Sequence, residues 1–373
     1  MEFDELNCFL GDRLTTSKAI RLEHSQDESW HLPKNIPDAI TYPETSEEVS
    51  KIIKFAFKND IPVIPFGTGT ALEGHIHALK GGITINSSKM NKIIVFGSTG
   101  MLGRYVEDYL SKFFTVFCVN RDQFDVEKDD FSKLQKIADS YEISSHDVLI
   151  NCIGLMPHRF NKHSLSKDGY DDEAYRRFIL VNSIFPHQLE KLHLTTNCEV
   201  ISITSDCVFT GDKGGYNEND TPDYQWAYGV TKSIGECSEI CTIRSSIIGE
   251  EKLNKQAMLE WVVSQKGKSI NGFDNYLWNG LTCLQTAKVM KHMIEKNLYW
   301  KGVRHILSPE VVSKYDMCCM INEIYDLGIN VNKTSLESKI DRSLTSLHDD
   351  FMEIPDIKTQ IQETKNYTFK YDQ

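Results

Sequence analysis

Residues 92–96 read KIIVF, and the chain then turns through GSTGMLG at 97–103 into the amphipathic run RYVEDYLSKF. A strand apolar on both faces must be covered on both faces, which places it inside a parallel sheet flanked by helices. The pattern recurs. FTVFCV, DVLINCIG, CEVISIT and CTIRSSII are further apolar strands, and helical stretches such as DDFSKLQKIADSY and AYRRFILVNSIFPHQLEKL lie between them. This alternation predicts an α/β fold over residues 92–250, a Rossmann-type doubly wound parallel sheet. Residues 251–345 are less regular, with helices at MLEWVVSQ, LQTAKVMKHMIEK and SKYDMCCMINEIYD, and read as a small C-terminal substrate lobe. Residues 346–373 are polar and read as a surface tail.

The glycines at 97, 100 and 103 stand between that strand and its helix, which is what gives the spacing meaning. Gly97 allows a tight turn, Gly100 lets the backbone approach a pyrophosphate, and Gly103 lets the helix pack close to the sheet. The helix N-terminus then offers N–H groups to phosphate. The alternative is a glycine turn in an α/β domain that binds nothing. Past the second strand, Arg121 suits the 2′-phosphate of NADP better than the ribose of NAD, unless it is only a solvated surface arginine. Asp125 would hydrogen-bond an adenine amine or cap a helix.

Among 15 tyrosines, Tyr228 has a lysine four positions on, Lys232, so both side chains share a helix face. A nearby ammonium favours the phenolate and draws a tyrosine toward the range where it can exchange a proton with a carbonyl oxygen. Ser205, or else Thr204, ends the strand in ISITSDCVF and would hold that oxygen. The order matters more than any one motif: glycine turn, strand ending in hydroxyls, then YxxxK.

These residues resemble the extended short-chain dehydrogenase/reductase superfamily over residues 92 to about 340, and within it the RmlD-like dTDP-4-dehydrorhamnose reductases. The matching pieces are GSTGMLG, NCIG at 151–154, VNSIFPHQL at 181–189, ITSDCVFTGDKGGYNENDTPDYQWAYGVTKSIGE at 203–236 and IRSSIIG at 243–249. The resemblance implies Ser205, Tyr228 and Lys232 as the catalytic triad, and Asn182 as a structural and proton-relay residue. It implies a cofactor, NADPH or NADH, held by Gly97, Thr99, Gly100, Met101, Leu102, Gly103, Arg121, Asp125, Asn151, Gly154, Tyr228 and Lys232. The implied reaction is reduction of a nucleotide-linked 4-keto-6-deoxysugar. Cys207 stands where the family usually has Tyr, and Ile153–Gly154 replace an Ala-rich pair, so the pocket wall differs. The superfamily also contains regulatory members, such as the methionine adenosyltransferase β subunit, so a non-catalytic dinucleotide-binding module is the alternative. A homodimer is the assembly considered; some relatives use Mg²⁺ at a subunit contact, and no residue of this sequence marks such a site.

Residues 1–91 have another character. PDAITYPETSEEVSKIIKFAFK turns helical at Thr45 or Ser46, with Val49, Ile52, Ile53 and Ala56 at helical spacing; IPVIPF and GITINSS are strands around the glycine loop GTGTALEGH. HSQDESWH at 24–31 together with these pieces resembles the PCMH-type FAD-binding domain of D-lactate dehydrogenase (cytochrome) and glycolate oxidase-like flavoproteins. The resemblance implies an FAD pyrophosphate loop at Gly67, Thr68, Gly69, Thr70, Gly74 and His75. It stops at Met90–Lys92, so the segment is a small α+β fragment of that domain, and half a site is not expected to bind FAD usefully. A flavin-dependent 2-hydroxyacid oxidoreductase remains the competing reading. No metal is expected: His75 and His77 sit in that loop without a third ligand.

Asp plus Glu is 53 against 41 Lys plus Arg, a net charge of −12, which disfavours nucleic acid as a partner. No apolar run approaches the ~20 residues of a membrane span. The acidic N-terminus MEFDELNCFLGDRL lacks a signal or transit pattern, so a cytoplasmic location is expected. The ten cysteines, without CxxC pairs, read as reduced core residues.

Overall fold

The computed structural model describes residues 3–27, 35–67, 73–87, 91–157, 165–166, 169–170, 172–251, 257–348 and 351–370. The chain forms two compact units, Met1–Lys92 with Phe113–Thr115, and Ile93–Lys112 with Val116–Gln373.

The first unit is built on a four-stranded sheet in the order Leu14–Thr15, Ala39–Thr41, Ile83–Asn86, Val63–Phe66, with only the first pairing antiparallel. The helix Ser46–Lys58 starts where expected, the Thr45 side chain accepting the Glu48 N–H. Glu48 in turn accepts two hydrogen bonds from Arg13, each 2.7 Å. The buried face of this helix is Ile52, Phe55 and Ala56, packed with Leu6, Leu10, Ala39, Ile83 and Ile85. Ile53 points outward, 48% exposed. Ile52, Ile53, Phe55, Ala56 and Phe57 put apolar residues on adjacent helix positions, so spacing leaves the face one residue ambiguous; Phe55 turns inward while Ile53 and Phe57 face out.

The second unit holds a six-stranded sheet in the order Gly302–His305, Cys241–Arg244, Glu199–Thr204, Val148–Asn151, Lys92–Phe96, Thr115–Val119. Its registered pairs are parallel. Ile93 through Phe96 and Val148 through Asn151 are fully buried, as the run of apolar residues required. Each such side chain contributes about 1.5–3 kcal/mol through burial. One face carries a core of Ile94, Phe96, Leu134, Leu149, Phe185, Leu189 and Val200. The strand order reverses between Lys92–Phe96 and Val148–Asn151, and the crevice at the carboxyl ends of such a pair is where open α/β sheets bind ligands.

Beyond the sheet, Ser269–Phe273 pairs with Asn330–Thr334, and Tyr276–Trp278 lies between Val312–Ser313 and Ile340–Asp341. These strands and the helix Lys314–Tyr325, closed by a Ser313/Asp316 capping box, enclose a second core around Ile270, Trp278, Met317 and Ile321. The polar C-terminus is not a tail. Residues Ile357–Asn366 form a helix whose Ile357 and Ile361 complete that core. Its Gln360 is buried but satisfied, accepting from Thr282 N–H at 3.0 Å and donating to Ser308 Oγ at 2.8 Å. Farther on, Phe369 is buried against Tyr105, and the Lys370 N–H donates to Asp108. All ten cysteines are free thiols.

Candidate functional site

The glycine turn does what its spacing requires at two of three positions. Gly97 has φ +81°, and a Cβ there would lie 2.8 Å from Ile153 Cγ1. A Cβ on Gly103 would lie 2.1 Å from the Gly97 carbonyl oxygen, so only glycine lets the helix sit this close. Gly100 is freer, its Cβ position 3.3 Å from that same oxygen. It caps the helix Met101–Leu110 without any side chain on the first amides, leaving N–H groups for an anion.

Gly100, Met101 and Leu102 form one wall of a cleft of about 360 Å³. Gly154, Ser205, Tyr228 and Lys232 line the same cleft. These groups are spread over residues 100 to 232 of the sequence; the switch point of the sheet gathers them.

Tyr228 and Lys232 stand on one face of the helix Ala227–Ile234. Glycines again permit the approach. A Cβ on Gly229 would sit 2.2 Å from the Tyr224 ring, and one on Gly235 1.9 Å from the Asn182 carbonyl oxygen. Both side chains are buried, Tyr228 at 6% and Lys232 at 8% exposure. Tyr228 packs with Leu155, Phe178, Val181 and Ala227 and shares a hydrogen bond with Ser205. Ser205 Oγ also donates to Asp206 at 3.1 Å and accepts the Cys207 N–H. Lys232 Nζ reaches the Ile203 carbonyl at 3.4 Å and comes within 3.0 Å of where a Gly154 Cβ would be.

The electrostatics depart from the sequence expectation. Burial, not an ammonium, dominates the Tyr228 phenol and raises its pKa; Cys207 raises it further, against a lowering hydrogen bond from Ser205. Burial pushes Lys232 down to about 8, opposed only by Glu236. The pair is a protonated phenol beside an ammonium close to losing its proton.

Other expected residues lie elsewhere. Asn151 is committed to structure, donating to Ser202 Oγ at 3.1 Å and accepting the Ile153 N–H at 3.0 Å. Asn182, within a π-helical turn at Ile179–Ile184, clasps the Leu155 N–H and carbonyl at 2.9 and 3.1 Å. Arg121 is paired with Asp125 and Glu127, both at 3.2 Å, so a phosphate there competes with two carboxylates. Asp125 accepts the Glu127 N–H and caps that turn. Thr99 is exposed at the turn. In the first unit, Gly67 and His75 are exposed and Gly74 has φ +71°; Thr68, Gly69 and Thr70 lie outside the described residues. His77 faces Asp27 at 3.4 Å.

Residues that the sequence reading did not single out as site residues also stand in or beside the cleft. Lys314 lies 5.4 Å from the ring centres of both Tyr276 and Trp278, with Met258 Sδ at 3.5 Å; burial lowers its pKa. Arg342 donates to Tyr276 Oη at 3.0 Å and to Cys207 Sγ at 3.4 Å, over the Tyr224 ring. Two buried atoms on the cleft wall, Thr204 Oγ1 and Trp278 Nε1, have no hydrogen-bond partner among the described residues. Unpartnered buried donors and acceptors beside a roomy cleft are the mark of a place meant for a polar ligand.

The fold and this cleft define a Rossmann-type α/β protein of the extended short-chain dehydrogenase/reductase kind. A family profile for the RmlD substrate binding domain matches residues 90–338, and the chain belongs to that family. A profile for an FAD binding domain matches residues 37–102. Among solved structures, dTDP-4-dehydrorhamnose reductase from Bacillus anthracis in complex with NADP superposes with a TM-score of 0.61 at 16% identity, covering 74% of this chain and 99% of that one. The Yersinia enterocolitica dTDP-4-dehydrorhamnose reductase gives 0.57 at 20% identity, covering 74% and 99%. The mitochondrial D-lactate dehydrogenase [cytochrome] of Arabidopsis thaliana is 40% identical over 90 residues, 24% of this chain and 16% of the relative. The chain thus spans about one sixth of the length of the curated relatives it matches. No helix among the described residues is long and apolar enough to cross a membrane.

Proposed function

We propose that the second unit is an NAD(P)H-dependent reductase of a nucleotide-linked 4-keto-6-deoxysugar. The observation that carries this is the single cleft shared by the uncapped helix N-terminus at Gly100 and the Ser205, Tyr228 and Lys232 side chains. The family membership and the dTDP-4-dehydrorhamnose reductases among its structural neighbours support the substrate class.

The cleft fits a dinucleotide. Gly100, Met101 and Leu102 would hold the pyrophosphate through backbone N–H groups, with Gly154, Tyr228 and Lys232 beside the nicotinamide ribose. Bound there, the nicotinamide supplies the hydride. Ser205 holds the ketone oxygen by hydrogen bonding, and Tyr228 donates its proton to that oxygen as negative charge develops on it. Burial keeps the phenol protonated, the state reduction needs. Lys232 favours the phenolate that remains after transfer, so its charge is wanted late in the step. NADPH is the expected donor through Arg121, with NADH the alternative; the carboxylates on Arg121 keep the preference small.

The test is consumption of NADPH, and of NADH, by the purified chain with dTDP-4-keto-6-deoxymannose and the related UDP- and GDP-ketosugars, followed by absorbance. Turnover that Tyr228→Phe removes supports the reading. Failure with all three nucleotides, while NADPH still binds by calorimetry, rejects it in favour of a non-catalytic dinucleotide-binding module. A flavin-dependent oxidation by the first unit is not favoured, because the matched flavoprotein segment is so short a part of those enzymes.

A further inference from the structure

His187, Glu190 and Cys237 bring one nitrogen, one oxygen and one sulfur atom within 4.8 Å of one another. His187 and Glu190 stand three apart on the helix Phe185–Thr196, so they share a face. Cys237 lies 50 residues after His187, in the turn between the Tyr228 helix and the strand Cys241–Arg244. No sequence pattern announces this trio, because two of the three are ordinary helix-surface residues and the third comes from another element.

The hydrogen bonds set the protonation. His187 Nε2 lies 2.9 Å from the Ile234 carbonyl, which can only accept, so this nitrogen carries the proton. In a neutral ring Nδ1 is then a bare lone pair. It faces Glu190 Oε2 at 3.1 Å and Cys237 Sγ at 3.4 Å. Glu190 is held ionised: burial opposes this, but the Glu239 N–H donating at 2.9 Å, His187 and the Ser238 N–H outweigh it. A lone pair pointed at a carboxylate needs a positive charge between them, either a second ring proton or a metal ion. The Cys237 thiol lies 3.6 Å from the Gly235 carbonyl, which accepts its S–H, so that proton is not held for Nδ1.

We propose that His187 Nδ1, Glu190 Oε2 and Cys237 Sγ form a divalent zinc site. Ligands about 2.0–2.3 Å from a tetrahedral zinc ion lie about 3.3–3.7 Å apart, close to the two distances from His187 Nδ1, 3.1 and 3.4 Å, with the third pair within 4.8 Å. Imidazole, carboxylate and thiolate together suit zinc rather than magnesium or calcium. Both other ligand atoms are already oriented, Nε2–H by Ile234 and Oε1 by Glu239, which is the outer support such sites use. The His187 side chain is 47% exposed, so ions have access and water can complete the coordination. On binding, the Cys237 S–H proton leaves to solvent as the S–Zn bond forms. The ion then ties the helix to the turn that follows Tyr228 and Lys232.

The experiment is a Co²⁺ titration of the full chain after treatment with a chelator, followed by Zn²⁺ competition. One equivalent of Co²⁺ is expected to give a thiolate-to-cobalt charge-transfer band and tetrahedral visible bands, both erased by Zn²⁺. Cys237→Ala is expected to remove the charge-transfer band, while Cys283→Ala, which alters another buried thiol, keeps it. His187→Ala, at a half-exposed position where folding is not at risk, is expected to weaken Zn²⁺ binding by at least about tenfold. The proposal is overturned if wild-type protein gives no charge-transfer band, or if His187→Ala binds Zn²⁺ as tightly as wild type. Either result leaves the trio as a protonated imidazole paired with Glu190.

Discussion

Replacing Lys232 by methionine separates what the residue does for stability from what it does for chemistry. Its ammonium is buried, reaches one carbonyl at 3.4 Å and has its pKa pushed from 10.5 to about 8. A shift of about 2.5 units at ~1.36 kcal/mol each is about 3 kcal/mol that the folded chain loses at neutral pH by holding this charge. Methionine keeps the straight stem and drops the charge. The lost hydrogen bond to Ile203 returns ~0.5–1 kcal/mol of the gain. Lys232→Met is therefore expected to be more stable by about 2 kcal/mol at pH 7 in urea unfolding, and inactive. The sign with pH follows from the lowered folded-state pKa. Between pH 8 and 10.5 the unfolded chain binds the proton and the folded chain does not, so wild-type stability rises through that window. The advantage of the variant should shrink to less than half by about pH 9.5. A variant no more stable than wild type at pH 7, or a difference that stays constant with pH, refutes the reasoning.

Tyr228→Phe keeps the packing against Phe178 and Leu155 but removes the proton donor; kcat is expected to fall by ~10²–10⁴ with NADPH affinity unchanged in calorimetry. Gly103→Ala must open a 2.1 Å clash with the Gly97 carbonyl, so stability should drop by more than about 2 kcal/mol in urea melts and cofactor binding should be lost. Ile361→Ala should destabilise by about 2–5 kcal/mol, where a side chain in a surface tail would cost nothing measurable. The reductive rate is expected to fall as pH rises past about 8, because Lys232 then loses the charge that favours the product phenolate; a pH-rate profile in Lys232→Arg, which holds its proton, should lose that limb.

The parts of the site legible in the sequence were those set by short, fixed spacing. Gly97 and Gly103 lie inside one turn, Tyr228 and Lys232 one helical turn apart, and Ser205 at a strand end, so each reading needed only local geometry. Lys314 and Trp278 reach the cleft, and Arg342 stands beside it, from parts of the chain that follow the YxxxK motif by 46 or more residues, so no fixed short spacing ties them to it. The C-terminal helix was misread for a related reason. Ile357 and Ile361 are its only large buried apolar residues, and its other buried positions, Gln360 and Thr364, are polar. Hydrogen bonds to Thr282, Ser308 and the helix's own backbone make that burial tolerable, and composition alone cannot show them.

The charge logic of the pair also had to come from packing. Spacing says only that an ammonium is near the phenol, and in water that would lower the phenol's pKa. Enclosure reverses the balance, because desolvation acts on each partner against its own charged form: it raises Tyr228 and lowers Lys232. Tyr228 is thereby held neutral, and Lys232 keeps its charge at pH 7 at a cost until charge is created in front of them. In the proposed reduction, a ketone oxygen that becomes an alkoxide would take the phenol proton, and the phenolate left behind would be the counter-charge that makes the buried ammonium favourable. A site arranged this way is poorly stable without its reactants and best satisfied part-way through the step, which is the condition for binding the transition state better than the ground state. Gly154 stands against that ammonium: a Cβ there would lie 3.0 Å from Lys232 Nζ, so the lysine end would have to shift to admit one.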